Sequence, residues 1–169
     1  MNSKIPLQKL TKLALLTAVS LMIYVLESLL PPIVPIPGIK LGLANIITLI
    51  TLACFDLKEA AMVLLCRILL AGFFFGQALS LLYSLAGGFC CLLIMTLFHR
   101  LLSKGYLPIT SVMGALSHNI AQLLVALAVT GVPGILAYLP FLLISAIITG
   151  TFTGLCAHFT LKALPGQLR

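Results

Sequence analysis

Arg67 is the residue of this sequence that most needs a chemical explanation, because it lies within the apolar run AAMVLLCRILLAGFFF. At 1.5 Å per residue it would lie roughly 10 Å inside a helix that begins near residue 60. A charge at that depth in a bilayer costs on the order of 3 kcal/mol, so the side chain must face a partner or a wet cavity. Two interpretations stay open. Arg67 binds a ligand, or it snorkels to backbone carbonyls or to a structural salt bridge with Asp56 or Glu59.

A second group of polar residues follows a helical spacing further along the chain. Gly114, His118 and Gln122 recur every four residues, and Asn119 lies next to them. Residues four apart share one face of a helix, so the pattern predicts a polar stripe on an apolar helix. The spacing favours contact of His118, Asn119 and Gln122 with the head group of a ligand. The alternative is interhelical hydrogen bonding, which contributes only about 1 kcal/mol per contact.

A third group is predicted to converge at the outer end of the protein, beneath the proline-rich segment PPIVPIPGIK of residues 31–40. Four prolines prevent this segment from forming a helix. The group consists of Glu27, Lys40, Asn45, Gln77 and Tyr83. Together with Arg67, His118, Asn119 and Gln122, these residues form a candidate substrate pocket that opens outwards. A direct ion pair between Glu27 and Lys40 is the alternative for those two residues.

Motifs for catalysis are missing from the sequence. It contains three acidic residues, and they form no D-D-x-x-D cluster of the kind that binds magnesium and diphosphate. It has no G-x-x-x-x-G-K-[ST] segment to hold ATP phosphates. Its five cysteines lie in apolar runs without a C-x-x-C spacing. We therefore expect no catalytic residues, no metal site and no cofactor.

Composition places the chain in a membrane. Hydrophobic residues make up 62% and charged residues 8% of the 169 residues, whereas soluble domains have about 25% charged residues. The net charge of +7 could indicate nucleic acid binding. However, the basic residues fall in short loops and at the ends, which is typical of topology control. We predict a single integral membrane domain over residues 1–169, without nucleic acid as a partner.

Hydropathy and breaker residues predict an all-α protein with six transmembrane helices. The predicted helices are approximately 10–30, 41–55, 60–75, 77–98, 109–130 and 137–161. The first run is expected to be a retained helix, because no A-x-A cleavage site follows it. Both termini are predicted to be cytoplasmic, since this orientation leaves only Lys40 outside. The cations then on the inner side are Lys4, Lys9, Lys12, Lys58, Arg100, Lys104, Lys162 and Arg169.

Small residues recur at four-residue spacing on two of these helices. Ala14 and Ala18 form A-x-x-x-A on the first, and Ala146, Gly150 and Gly154 form a ribbon on the sixth. Such ribbons allow close helix contacts in lipid. They indicate either packing within the chain or a docking face for another membrane subunit.

The stretch PIPGIKLGLANIITL (35–49), the six short helices and the A-x-x-x-A of the first helix resemble the Gx transporter family. That family is also named heptaprenyl diphosphate synthase component I, and its architecture resembles the S-components of energy-coupling factor (ECF) transporters. The resemblance implies a substrate site under outer loops, with the proline-rich loop as a lid. It also implies docking through Ala14 and Ala18 onto a transmembrane coupling subunit powered by a pair of ATPases.

The function implied by this resemblance is uptake of a small vitamin-like, isoprenoid- or quinone-related molecule across a bacterial plasma membrane. The alternative is a non-catalytic accessory subunit of heptaprenyl diphosphate synthase or of a membrane electron-transfer assembly.

Overall fold

The computed structural model describes residues 6–29, 40–75, 78–102 and 106–163, and within these ranges the chain is helical with no strand. This confirms the predicted all-α class. The elements are α1 (Leu7–Ser28), α2 (Asn45–Cys54), α3 (Leu57–Phe75), α4 (Ala78–Leu101), α5 (Leu107–Thr130), a 3-10 helix (Pro133–Tyr138) and α6 (Leu139–Ala163).

Four of the described segments are long and apolar enough to cross a membrane: α1, α4, α5 and the stretch Pro133–Ala163. Large apolar side chains cover their outer faces; for example, Leu15 of α1 and Phe141 of α6 are each 64% exposed. A surface of this kind is suited to lipid and not to water. The chain is therefore a membrane protein, while the count of six spans and the cytoplasmic termini stay predictions.

The second helix is shorter than the sequence suggests. It begins at Asn45 instead of near residue 41, because Gly42 has a positive φ of 79° and starts a turn in which Asn45 N–H donates to Gly42 O. Its ten residues extend about 15 Å, half of the roughly 30 Å hydrocarbon core. The residues just before α2 are thus free of the helical hydrogen-bond pattern and can line the interior of the bundle.

The connection between α5 and α6 contains an element that the sequence did not predict. Gly131, with φ of 67°, ends α5 as a left-handed cap, and the six residues Pro133–Tyr138 then form the 3-10 helix. This places the start of α6 at Leu139, close to the predicted residue 137.

The small residues of α6 pack within the chain. A Cβ atom added to Gly154 would lie 2.5 Å from Pro108 Cα of α5, and one added to Gly150 would lie 2.7 Å from Val112 Cα. Both neighbours are backbone atoms, which cannot rotate away. Of the two interpretations of this ribbon, internal packing between α5 and α6 is the one that the structure supports.

We predict that Gly154→Ala lowers the free energy of unfolding by about 1–3 kcal/mol, because the added methyl group forces α5 and α6 apart. Thermal or denaturant unfolding of the purified protein in detergent measures this change. Gly134→Ala is the matched control, since its Cβ would meet only Val132 Cγ1 at 3.8 Å. Equal losses in the two variants would contradict the close packing of α5 on α6.

Lys9 and Glu59 connect α1 to α3 near the start of both helices. The Lys9 ammonium forms an ion pair with the Glu59 carboxylate, and Lys9 also lies 5.7 Å from the centroid of the Phe55 ring. Donation from Lys9 holds the pKa of Glu59 below its usual range. Glu59 lies ahead of the apolar stretch that begins at Ala60, so this pair fixes one end of the bundle and leaves its interior to other residues.

Candidate functional site

The charged and amide side chains of the bundle interior lie towards one end of the bundle. This end is where α1 finishes, α2 begins, α4 begins and α6 begins, since consecutive antiparallel helices alternate in direction. The buried polar side chains there have exposures between 0% and 6%: Glu27, Asn45, Thr48, Arg67, Ser80, Ser84, His118, Asn119 and Gln122. A polar interior in a membrane bundle is costly and marks a functional site by default.

Glu27 fixes the chain at the entrance to α2. Its Oε1 accepts a hydrogen bond from Gly42 N–H at 2.6 Å. The acceptor lies in the last turn of α1 and the donor lies in the turn that precedes α2. Glu27 therefore positions the residues that lead into α2.

Tyr24 lies between the two cations of the site. Lys40 Nζ is 3.4 Å from the centroid of the Tyr24 ring, and Arg67 Cζ is 5.9 Å from the same centroid. Both distances fall within the range of cation–π attraction. The Tyr24 hydroxyl lies 3.1 Å from Ser80 Oγ, which connects α1 to α4. Tyr24 thus brings the Lys40 and Arg67 side chains close to the same aromatic ring.

Glu27 and Lys40 do not form the direct ion pair that was the alternative for these residues. A contact ion pair is formed by Lys9 and Glu59, but not by Glu27 and Lys40. Glu27 and Lys40 interact only electrostatically, as do Glu27 and Arg67. The Lys40 ammonium lies over the Tyr24 ring instead, and Glu27 Oε1 accepts from Gly42 N–H.

Arg67 is buried, at 3% exposure, and its Nε and Nη2 have no hydrogen-bond partner among the described residues. The salt bridge with Asp56 or Glu59 does not form. Glu59 bonds to Lys9, and the acid that interacts with Arg67 is Glu27 of α1. Helix α3 therefore places Arg67 in the polar interior, where two of its nitrogen donors have no partner among the described residues.

His118 is held between two glycines. A Cβ atom on Gly42 would lie 3.1 Å from its Nε2, and one on Gly87 would lie 2.7 Å from both Cε1 and Nδ1. Asn45 Nδ2 lies 3.2 Å from His118 Nδ1. These two side chains form a hydrogen bond in which the role of each nitrogen depends on the tautomer of His118. The absence of side chains at the two glycines is what allows α2 and α4 to approach the ring.

Gln122 lies one turn after His118 and beside the same glycine, with its Cγ 3.1 Å from a Cβ on Gly87. It is 0% exposed, and neither Oε1 nor Nε2 has a partner in the described residues. Asn119 has a structural role, since its Nδ2 donates to Leu142 O of α6 at 2.9 Å, but its Oδ1 has no partner there. Thr48 Oγ1 likewise has none.

The structure therefore brings together six of the residues predicted for the pocket: Glu27, Lys40, Asn45, Arg67, His118 and Gln122. Asn119 lies beside them and faces α6. Tyr83 is buried in an apolar cluster with Leu123, Ala126 and Leu142. Gln77 and residues 31–39 of the proposed lid, which was predicted over residues 31–40, lie outside the described residues.

Ala14 and Ala18 are placed away from the site. Both are exposed, on the outer face of α1. They contribute nothing to the polar interior, and their predicted docking role concerns a different surface.

Sequence reasoning missed several members of this site. Tyr24, Thr48 and Ser80 were not predicted, although Tyr24 precedes Glu27 by three residues and Thr48 follows Asn45 by three. Residues three apart share a helix face, so this spacing was the signal that could have found them. The role of Gly42 and Gly87 has no such signal, because it depends on contacts between helices.

The arrangement suits binding. It offers hydrogen-bond donors and acceptors, one carboxylate and two cations in a water-poor interior. No three His, Cys, Asp or Glu side chains gather to hold a metal ion in the part of the chain that the structure describes. The fold and site together define an all-helical membrane protein with a buried polar centre.

The family is identified by its sequence model. The chain belongs to the heptaprenyl diphosphate synthase component I family, whose model matches residues 16–160. No curated protein and no solved structure matches the chain. The family name places the chain as a component of a synthase, which implies a partner component.

Proposed function

We propose that the chain is the substrate-binding membrane subunit of an ECF-type uptake transporter, similar to an S-component. Its substrate is a small vitamin-like, isoprenoid- or quinone-related molecule. The observation that carries this proposal is the set of six buried side-chain N and O atoms without partners in the described residues. They belong to Thr48, Arg67, Asn119 and Gln122.

The energetic argument concerns these atoms. Each unpaired buried polar group costs about 1–3 kcal/mol, and in a bilayer interior there is little water to compensate. A sequence under no functional demand would replace these residues with apolar ones. A polar ligand supplies the missing partners, so its binding recovers the cost.

The position of the site also supports uptake from one side. The polar residues occupy the half of the bundle in which α1 ends. By the distribution of Lys and Arg, this is the predicted outer half. The sequence has no phosphate-binding loop for ATP, and in this proposal partner ATPases drive transport through a coupling subunit.

We expect the protein purified in mild detergent to retain a small molecule, detected by native mass spectrometry. Gln122→Leu removes the two unpartnered amide atoms at similar volume, so we expect it to be purified empty. Thr96→Val is the control, because the Thr96 hydroxyl bonds to Leu92 O of its own helix, in the other half of α4. Retention by Gln122→Leu at the wild-type level, or an empty wild-type protein, would contradict the proposed site.

Partner binding is tested separately on α1. We expect the double variant Ala14→Leu and Ala18→Leu to lose co-purification with the coupling subunit and ATPases, because bulky side chains block close helix approach. The control is Leu15→Ala on the same exposed surface, and retention of the small molecule shows that the bundle is intact. Wild-type levels of co-purification in the double variant would exclude docking through this face.

The family name favours a second candidate, an accessory membrane subunit of a prenyl synthase. Tagged protein isolated from its native membrane distinguishes the two. Recovery of a soluble prenyl-transferring component, with no ATPase and no retained small molecule, would support the accessory subunit.

A further inference from the structure

We infer that the buried site takes an organic monoanion whose carboxylate binds the side of the Arg67 guanidinium, and whose amide or lactam group pairs with the Gln122 side chain. This rests on the proposed function, because it names the ligand class of the same site. The inference follows from which atoms of the site lack partners and from the charge that the site carries.

The two unpartnered nitrogens of Arg67, Nε and Nη2, lie on the same edge of the planar guanidinium. Their N–H bonds are parallel and form a fork whose spacing matches the two oxygens of a carboxylate. Glu27 interacts with Arg67 only electrostatically and forms no hydrogen bond with Nε or Nη2, while its Oε1 accepts from Gly42 N–H. The fork is thus oriented by the protein and left for an anion from outside the chain.

The net charge of the site limits the charge of the anion that it can bind. At their ordinary charges, Lys40 and Arg67 contribute two positive charges and Glu27 one negative charge, which leaves a net charge of one. A monoanion balances this charge. A diphosphate carries more negative charge and is normally bound through Mg²⁺ held by carboxylates, yet Glu27 is the one acid of the described site. The site is therefore built for a carboxylate and not for the diphosphate group in the family name.

The Gln122 side chain places a second chemical requirement on the ligand. Its amide presents an acceptor, Oε1, next to a donor, Nε2, and both are buried without partners in the described residues. The complementary surface is a donor beside an acceptor, as on an amide or lactam edge. Gln122 and the His118 ring both lie against Gly87, so this edge would lie beside the imidazole. A neutral quinone has acceptors only and leaves Oε1 unpaired.

Five soluble probes test this assignment on the full-length protein in lipid nanodiscs. They are benzoate, carbamoylbenzoate (the 3- and 4-isomers), benzamide and pyrophosphate at equal concentrations. Thermal unfolding and calorimetry measure binding. We expect a carbamoylbenzoate isomer to bind most tightly, benzoate more weakly, and benzamide and pyrophosphate not at all.

Two substitutions assign the contacts. Arg67→Lys keeps the charge but removes the fork, so we expect the affinity for benzoate to fall about tenfold. Gln122→Leu should reduce the ratio of carbamoylbenzoate affinity to benzoate affinity to about one, because the amide of the probe loses its partner. The second comparison does not depend on how well Arg67→Lys folds.

The outcomes separate the ligand class from the proposed function. Pyrophosphate binding as tight as that of benzoate, or equal benzoate affinity in Arg67→Lys and wild type, overturns the carboxylate assignment. If the protein retains a molecule by mass spectrometry but none of the carboxylates binds, the ligand class is wrong and the transport proposal stands. If it retains no molecule and binds no probe, both fail.

Discussion

Arg67→Met is expected to abolish ligand binding and, at the same time, to stabilise the ligand-free protein. The side chain is buried with two unpartnered nitrogens. Removing a charge from that position removes a cost of roughly 3 kcal/mol. We expect the free energy of unfolding of the ligand-free variant to rise by about 2 kcal/mol, as for active-site residues that are retained against stability.

The sign of this change decides between the two roles of Arg67. A structural salt bridge that loses one partner should cost about 3–5 kcal/mol instead, because the other charge stays buried. Denaturant unfolding in detergent measures the change, and native mass spectrometry measures the bound molecule. Arg100→Met is the matched control, since Arg100 is exposed in the last turn of α4 and its loss should change stability by less than about 0.5 kcal/mol. A destabilised Arg67→Met that still retains the molecule would show that Arg67 is structural.

The second large effect is expected from Gly87→Ala. The added Cβ would lie 2.7 Å from Cε1 and Nδ1 of the His118 ring. The ring is rigid, and it cannot shift without breaking its contact with Asn45 Nδ2 or approaching Gly42. We expect the variant to lose about 1–3 kcal/mol of stability and its bound molecule, because His118 and Gln122 are both displaced.

The neighbouring glycine provides the control. A Cβ on Gly88 would lie 3.0 Å from Leu64 Cδ1 and 3.3 Å from Ile68 Cδ1, which are the movable ends of side chains. Gly88→Ala should therefore keep the bound molecule and lose less than about 1 kcal/mol.

A double-mutant cycle then isolates the contact between Gly87 and His118. In the His118→Ala background, the ring is gone and Gly87→Ala should cost little, so the two substitutions should couple by about 1–2 kcal/mol. Additive effects of the two substitutions would mean that the Gly87 methyl group collides with something other than His118.

The helical membrane class could be predicted from the sequence because it depends on quantities that add along the chain. A chain with 8% charged residues cannot cover a water-exposed surface. Two of its apolar runs end at breaker residues. The structure places Gly131 at the end of α5 and Asp56 just before α3. The polar stripe of His118 and Gln122 was predictable for the same reason, since helical spacing is a local property.

The pairing of the charged residues was decided by the tertiary structure. The sequence gives the depth of Arg67 along its helix, but the rotation of α3 and its neighbours decide whether that side chain meets Glu59 or Glu27. Lys9 of α1 forms an ion pair with Glu59, and Tyr24 of the same helix lies beside both Lys40 and Arg67. These residues are far apart in sequence, and no local pattern encodes their meeting.

The glycines show most clearly which features the sequence predicts and which only the packing of the helices decides. Spacing shows that Gly150 and Gly154 can form a close contact, but only the packing of α6 on α5 shows that they face the same chain and not a partner. Gly42 and Gly87 have no periodic pattern at all. Their importance comes from the absence of side chains on one turn and one helix that both approach the His118 ring, and this close approach exists only once the helices have packed.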